Sequence, residues 1–174
     1  RAVSCNLTGA AMGYASTPSC APEKDGVVIR YTVFGTTPNV QSPFNMGRTA
    51  VHEVGHWLGL RHIWGDSPCG DDNIADTPPQ QGPTRGCPSG VVATCTSGAA
   101  GNMYMNYMDF TNDACTNMFT LGQAAKMQEL FRKGGAREAL LSSHKADGAA
   151  AEDVAVLPEG VSIYPNPAAD VLNI

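Results

Sequence analysis

The sequence predicts an α+β fold in which short strands and two helices flank a long irregular segment. Residues 27–33 (VVIRYTV) are rich in β-branched side chains, which predicts a strand. Apolar residues at helical spacing predict one helix that ends near 58 and another that begins at 120. Prolines and glycines concentrate between 65 and 101, which indicates loops and turns. A chain of 174 residues suits one compact domain, with or without a tail.

The first 45 residues predict extended structure. A short apolar segment, 12–15, precedes the strand at 27–33, and turn-forming residues separate the two. The stretch 36–45 is polar and contains proline, so we expect an irregular connection there before the first helix.

A change of period after Gly47 predicts the first helix. Apolar residues then recur at three- and four-residue steps and form one helical face: Ala50, Val51, Val54, Trp57 and Leu58. Gly59 ends that face, because glycine readily takes the positive φ that turns a chain away from a helix.

A capping box predicts the start of the second helix, since the side chains of Thr120 and Gln123 can satisfy amides of the first turn. We expect this helix to end near Arg132, with a shorter helix at 137–143. The predicted organisation is then one domain at 1–144, an alanine-rich linker at 145–160 and the start of a further β-domain at 161–174.

Composition excludes several classes of function. About 43% of the residues are apolar, but no apolar run approaches the roughly 18 residues of a membrane span. The net charge is −5, and the 11 Lys and Arg residues do not cluster, so no nucleic-acid partner is expected. We expect the chain to be a monomer whose binding partners are proteins or peptides.

Six cysteines are scattered through loop-like sequence, and none forms a C-x-x-C pair. A four-cysteine zinc site is therefore not expected. An even number of cysteines favours disulfides and an oxidising compartment, whereas reduced cysteines in a cytosolic protein are the alternative. The sequence alone does not choose among the pairings.

Three of the four histidines lie between residues 52 and 62. His52 and His56 are four residues apart, so on a helix both imidazoles reach the same ion. His62 lies six residues further on, and Gly59 allows the chain to turn so that His62 returns toward that ion. Glu53 follows the first histidine and faces the open side of the metal.

Three neutral nitrogen ligands and one open position are typical of a catalytic zinc site rather than a closed structural one. In such a site Glu53 is the general base that takes a proton from the attacking water. The alternative is a helix whose histidines merely pack, and it requires this spacing of rare residues to arise by chance.

These residues form the long zinc-binding signature of the metzincins, and the chain resembles the pappalysin family, named for pregnancy-associated plasma protein A. The resemblance also rests on 47–50 (GRTA), 76–78 (DTP) and 106–109 (NYMD), and it covers roughly 13–132. It implies a secreted or cell-surface zinc-dependent endopeptidase. The implied catalytic domain is metzincin-like, with an active-site helix, a loop-rich disulfide-stapled lower subdomain and a C-terminal helix. Its N-terminal strands and backing helix are expected to be missing from this chain.

The resemblance assigns Met108 to a turn whose methionine forms an apolar floor beneath the zinc; ordinary core packing is the alternative. Two residues later some pappalysins carry a tyrosine that stabilises the transition state, whereas this chain has Phe110. A phenyl ring donates no hydrogen bond, so weaker catalysis is expected. A non-catalytic zinc-binding surface module and a metzincin of another family are the rival interpretations.

The family likeness also implies disulfides, and it pairs Cys69 with Cys95 and Cys87 with Cys115. Cys5 with Cys20 then remains as a third pair.

The acidic segment 71–77 is a candidate calcium site, because carboxylate, carbonyl and hydroxyl oxygens are the ligands of calcium. Small pappalysins carry structural calcium in this region. Asp72 and Thr77 are the preferred ligands, and Asp76 is a further candidate. The alternative is a solvated acidic turn.

Two groups of residues are assigned to substrate by analogy with metzincins. The edge strand above the cleft, which pairs with an extended peptide, is expected at Met12, Gly13, Tyr14 and Ala15. Asp113 is either an acid that favours Lys or Arg after the scissile bond, as in bacterial pappalysins, or a surface carboxylate.

Residues 161–174 resemble the opening of the C-terminal sorting domain of type IX secretion. A plain linker into another β-domain is the alternative. Both interpretations agree with an extracellular destination.

Overall fold

The computed structural model describes residues 2–5, 9–36, 38–95 and 101–144. Its strands are β1 (Ala2–Cys5), β2 (Gly13–Ala15) and β3 (Val27–Arg30), and its helices are α1 (Arg48–Trp57) and α2 (Leu121–Glu129). Single 3₁₀ turns lie at Pro22–Lys24, Tyr31–Val33 and Glu138–Ser142. The linker and further β-domain predicted for 145–174 lie outside the described residues. No helix in the described ranges is long and apolar enough to cross a membrane.

The sheet has the order β1-β3-β2, with β1 parallel and β2 antiparallel to β3. Side chains alternate between the two faces of β3, so Val27 and Ile29 are both buried. They form one hydrophobic cluster with Val33. The predicted strand 27–33 is shorter than expected, because the chain leaves the sheet after Arg30 and forms a 3₁₀ turn. That turn still buries Val33, so the β-branched pattern continues beyond the strand itself.

The first helix forms where the apolar period predicts it. Its N-cap, Gly47, has a φ of 74° and no side chain to cap the helix. Asp113 replaces that cap from a distant part of the chain, since its Oδ2 accepts the N–H groups of Met46 (2.7 Å) and Arg48 (3.2 Å). A carboxylate at this position also complements the positive end of the helix dipole.

Gly59 ends α1 as predicted, with a φ of 84°. The N–H of Leu60 bonds to the carbonyl of Gly55 (3.0 Å), and the N–H of Gly59 bonds to that of His56 (2.8 Å). This pair of bonds is a Schellman motif, which closes a helix and turns the chain back. The turn brings His62 toward the helix that it has just left.

The capping box of α2 is present, with the hydroxyl of Thr120 accepting from the N–H of Gln123. The helix ends at Glu129 rather than near Arg132, because single turns follow it. The short helix predicted at 137–143 is the 3₁₀ turn Glu138–Ser142.

Between the helices, the described residues contain one isolated bridge, Asn106 to Met118, and no strand or helix. A small core holds this segment together: Leu60, Ile63, Ile74 and Met108. Two disulfides reinforce it, joining Cys69 to Cys95 and Cys87 to Cys115, with Cα atoms 6.0 and 5.7 Å apart. These are the two pairs that the family resemblance implies.

The third predicted disulfide is wrong, since Cys20 is a free thiol. Cys5 ends β1 and is in register with Arg30, at the far end of β3. Cys20 follows β2, whose last residue, Ala15, is in register with Val27 at the opposite end of β3. The register therefore places Cys5 and the end of β2, from which the chain continues to Cys20, at opposite ends of β3, and elimination could not detect that separation.

Candidate metal centre and active site

The three histidines of the motif converge at one point. His52 and His56 project from α1, and His62 follows the turn at Gly59. One ring nitrogen from each histidine lies within 4.8 Å of the other two. His56 Nε2 and His62 Nε2 are 3.1 Å apart. The spacing of the motif therefore corresponds to a real cluster.

Hydrogen bonds on the far side of each ring orient the cluster. His52 Nδ1 bonds to the carbonyl of Tyr107 (2.6 Å), and His56 Nδ1 bonds to that of Leu60 (2.9 Å). His62 Nδ1 bonds to the carboxylate of Asp66. A neutral imidazole that donates from Nδ1 keeps its Nε2 lone pair free, which is the form that binds a metal.

Burial favours the neutral form of these rings. It lowers the pKa of His52 to about 3, with a further lowering from the neighbouring His56. Burial also lowers the pKa of His56. Both rings are therefore neutral at physiological pH, as metal ligands must be.

The donor set fits zinc. Zinc binds imidazole nitrogen at about 2.0–2.1 Å, and tetrahedral geometry then separates two such nitrogens by about 3.3 Å. The 3.1 Å between the Nε2 atoms of His56 and His62 is close to that distance. Zinc held by these three nitrogens would have room for a fourth ligand such as water.

A cavity of about 720 Å³ opens beside the histidines. Residues of β2, the carboxylate of Glu53 and the side chain of Asp113 line it together with the histidines. Glu53 is only 6% exposed, and its burial raises the pKa of the carboxyl to about 7. The site thus combines three clustered imidazoles, of which His52 and His56 are neutral, with one carboxyl group that exchanges a proton near neutral pH.

Met108 is fully buried and packs against α1. Its N–H bonds to the side chain of Asn106 (2.8 Å), which closes the tight turn. A Cβ placed on Gly55 would lie 2.5 Å from the sulfur of Met108, so Gly55 must be glycine for the methionine to fit. Since Gly55 lies between His52 and His56 on the helix, Met108 packs against the helical turn that carries both histidines.

Two buried polar contacts behind Met108 were not predicted. Asn106 and Gln123 exchange two amide hydrogen bonds (2.7 and 3.2 Å), which fasten the turn to α2. Asp109 accepts from the N–H of Thr84 (2.8 Å) and from Gln80 (3.1 Å). A local sequence pattern does not predict contacts between residues so far apart in the chain.

Aromatic side chains cover His62, and only one of them was considered from the sequence. Trp64 stacks on its ring, with centroids 4.4 Å apart and planes within 4° of parallel. Phe110 packs edge-on against the same ring at 4.8 Å. Trp64 and Asp66 follow His62 by two and four residues, so proximity in the sequence was the available signal for both.

The residues assigned to substrate all line the cavity. Met12 to Ala15 include β2, an edge strand, and Tyr14 is 57% exposed there. Asp113 is 3% exposed, so the alternative of a surface carboxylate is wrong. The same carboxylate caps α1, as described above.

The candidate calcium ligands divide into two groups. Asp72 Oδ1 accepts from Thr77 Oγ1 (2.8 Å), and Asp72 Oδ2 is buried with no hydrogen-bond partner among the described residues. Asp76 directs its oxygens to the start of α2, where they accept from Thr120 Oγ1 (2.7 Å) and the N–H of Gly122 (2.8 Å). The acids of this segment do not converge as the histidines do within the described ranges.

A buried ion pair anchors the far end of α1. Arg137 is 5% exposed and forms a bidentate pair with Asp25. Its guanidinium stacks on Trp57 at 3.8 Å from the ring centroid, and Trp57 Nε1 donates to Asp25 (2.8 Å). Burial raises the pKa of Asp25, but the hydrogen bonds from Arg137, Trp57 and Ser16 outweigh that effect, and the pKa is lowered overall.

Known proteins share this sequence and this fold. Extracellular metalloprotease 1 of Coccidioides posadasii is 38% identical over 130 residues, which cover 72% of this chain and 46% of the relative. An extracellular metalloprotease of Arthroderma otae is 38% identical over 135 residues, covering 73% and 48%. Mature mirolysin of Tannerella forsythia, solved in complex with a cleaved peptide, is 51% identical with a TM-score of 0.73, covering 78% of this chain and 54% of that one.

The chain spans about half the length of these relatives. The family described as pregnancy-associated plasma protein-A matches residues 6–132, well over half of the chain. The match includes the three histidines, Glu53 and Met108. The chain therefore belongs to the pregnancy-associated plasma protein-A family of peptidases.

Proposed function

We propose that this chain is the catalytic part of a secreted zinc-dependent endopeptidase. The observation that carries the proposal is the convergence of three imidazoles within 4.8 Å, beside a buried carboxyl group and an open cavity. The relatives named as extracellular metalloproteases support both the reaction and the extracellular location.

The nitrogens of His52, His56 and His62 would hold the zinc. Zinc bound there would lower the pKa of a water molecule and polarise the substrate carbonyl. The backbone of β2 would pair with an extended peptide and carry the scissile bond past Glu53. Main-chain pairing explains how such a site accepts peptides of varied sequence.

Glu53 would act as general base and then as general acid. Its carboxylate would take a proton from the attacking water and pass it to the leaving amine. A pKa raised to about 7 by burial suits both transfers, because a group with a pKa near the working pH accepts and releases a proton readily.

Substitution of Glu53 by Gln tests this role. Gln has nearly the same shape but cannot accept the proton, so we expect zinc stoichiometry to be kept and peptide hydrolysis to fall by at least about 10²-fold. Casein hydrolysis with and without a chelator, beside metal analysis of both proteins, measures the two properties. Near-full hydrolysis by E53Q would exclude the assignment.

We also propose that Asp113 selects Lys or Arg after the scissile bond. Its burial at the cavity wall supports this role, because a desolvated carboxylate strongly prefers a cationic partner. Asp113→Asn keeps an acceptor oxygen for the N–H groups of α1 and removes the charge. Cleavage profiling of a peptide library should show loss of the Lys and Arg preference; an unchanged profile would contradict the role.

We propose that the acidic segment binds structural calcium, because Asp72 Oδ2 is buried and has no hydrogen-bond partner among the described residues. Thr77, which bonds to the other oxygen of Asp72, would complete the side-chain ligands. Asp76 is the weaker candidate because its oxygens serve α2. Calorimetric titration of the zinc-loaded protein with calcium should give binding in the wild type and none in Asp72→Asn. The sorting function proposed for 161–174 concerns residues outside those described.

A further inference from the structure

Gly13 of the edge strand β2 lies directly against the side chain of Glu53. A Cβ placed on Gly13 would be 2.6 Å from Glu53 Oε1, 2.7 Å from its Cγ and 2.8 Å from its Cδ. All three distances are below any ordinary van der Waals separation. The side chain of Glu53 therefore occupies the space that a side chain at position 13 would need.

The backbone conformation at position 13 does not require a glycine. Gly13 is a strand residue in register with Ile29, and its φ lies outside the left-handed region. Alanine adopts such a conformation without strain and loses less entropy on folding than glycine does. The three atoms nearest to a Cβ at position 13 all belong to the side chain of Glu53, so that side chain opposes a larger residue there.

Packing is what holds that carboxylate. In the part of the chain that the structure describes, no hydrogen bond or ion pair fixes the carboxylate of Glu53, and burial is the one cause of its raised pKa. Each histidine, by contrast, has a hydrogen bond on its far nitrogen. The strand β2 is paired with β3, and the residue before it is also held there, since the N–H of Arg30 bonds to the carbonyl of Met12 (2.7 Å).

We infer that Gly13 is a positioning residue for Glu53: the side-chain-free surface of β2 forms the contact that sets where the general base sits. The inference rests on the proposed function and adds to it, since the same strand would hold both the substrate backbone and the general base. A methyl group at position 13 would push the carboxylate by about 1 Å to reach ordinary contact distance.

Kinetics of Gly13→Ala test the positioning. A displacement near 1 Å of a catalytic group costs on the order of 10²-fold in rate, so kcat should fall by about 10- to 100-fold while KM stays within about twofold. Zinc stoichiometry should not change. Gly82→Ala is the matched control, because Gly82 also lies outside the left-handed region and a Cβ there meets nothing within 4 Å. Gly82→Ala should keep wild-type kinetics.

A rescue separates this contact from a general defect of the strand. In a Glu53→Asp background the shortened side chain withdraws from Gly13. Adding Gly13→Ala to that background should lower kcat by a smaller factor than it does when Glu53 is present, because the two substitutions are coupled through this contact.

The melting temperature of zinc-free protein gives a reading that needs no activity. Gly13→Ala should lower it when Glu53 is present and leave it unchanged in a Glu53→Ala background, where the contact is gone. If the wild type hydrolyses no peptide, the proposed function fails while this comparison still tests the contact. A wild-type kcat for Gly13→Ala, or an equal loss of melting temperature in both backgrounds, would overturn the inference.

Discussion

The histidine cluster and the acidic segment 71–77 are both candidate metal sites, but they differ in which of their side-chain atoms form hydrogen bonds. Each histidine uses its far nitrogen for a hydrogen bond and keeps its ligand nitrogen free. In the acidic segment the carboxylate oxygens themselves accept the hydrogen bonds, from Asn73, Ile74, Thr77 and the start of α2. The exception is Asp72 Oδ2, which is buried and accepts no hydrogen bond from the part of the chain that the structure describes.

The difference follows from the chemistry of the side chains. An imidazole has two nitrogens on opposite sides of a rigid ring, so one can be anchored while the other binds a metal. A carboxylate in a tight turn meets backbone N–H groups at once and is satisfied locally. A cluster of acids in a sequence therefore predicts a turn at least as well as it predicts a cation site, whereas spaced histidines predict the metal.

The largest effect is expected from loss of a histidine ligand. His56→Ala removes one of three nitrogens, so zinc affinity should fall by more than about 10²-fold, beyond the range seen for groups that only support a ligand. Competition with a fluorescent zinc chelator measures it. Asp76→Asn, in the other segment, should leave zinc affinity unchanged; equal losses in the two variants would erase the distinction between the sites.

Weakening an anchoring hydrogen bond by removing the charge of its acceptor should have a smaller effect. Asp66→Asn keeps an acceptor for His62 Nδ1 but removes its charge, and zinc affinity should fall by about 10- to 100-fold. Asp71→Asn makes the same change on an exposed acid nearby and serves as the control. If Asp66→Asn binds zinc as tightly as the wild type does, the charge of Asp66 does not contribute to zinc affinity through its hydrogen bond to His62.

Asp25 is a carboxylate outside both candidate metal sites, and it forms an ion pair with the buried Arg137. Asp25→Asn leaves the buried guanidinium of Arg137 without its charged partner, which should lower the free energy of unfolding by about 2 kcal/mol. The pKa of Asp25 is lowered in the folded protein, so its charge contributes stability above the unfolded pKa near 3.8. That contribution should disappear as the pH falls through the lowered pKa. Urea denaturation of both proteins between pH 7 and pH 2 checks both statements; a difference that persists at the lowest pH would contradict them.

The smallest effect is expected at Asp76, which is exposed. The N–H of Gly122 and the hydroxyl of Thr120 lower its pKa, so Asp76 stabilises the start of α2 above pH 3.8 and ceases to do so in acid. Asp76→Asn should therefore reduce the denaturation midpoint slightly at pH 7 and not at all at acidic pH. A large fall at pH 7, or loss of zinc, would mean that this acid does more than cap a helix.

Local features were predictable from the sequence. The period of α1, the turn at Gly59, the capping box at Thr120 and the histidine spacing each depend on neighbours within a few residues. The structure confirms these elements because hydrogen bonds of short range decide them.

Long-range features were not predictable in the same way. Asp113 caps a helix about 65 residues earlier in the chain, and Arg137 reaches Asp25 across 112 residues. The contact of Gly13 with Glu53 depends on how the sheet lies over α1. Cys20 was paired wrongly for the same reason, since the register of three strands decides which cysteines can meet.

We propose that zinc held by the three histidines, with Glu53 beside it, gives this chain peptidase activity. The most direct measurement is titration of metal-free protein with zinc while hydrolysis of a peptide is followed, in the wild type and in Glu53→Gln. The account predicts that activity rises linearly to one zinc per chain and that Glu53→Gln binds the same zinc without activity. Hydrolysis without zinc, or equal activity in Glu53→Gln at full occupancy, would contradict it.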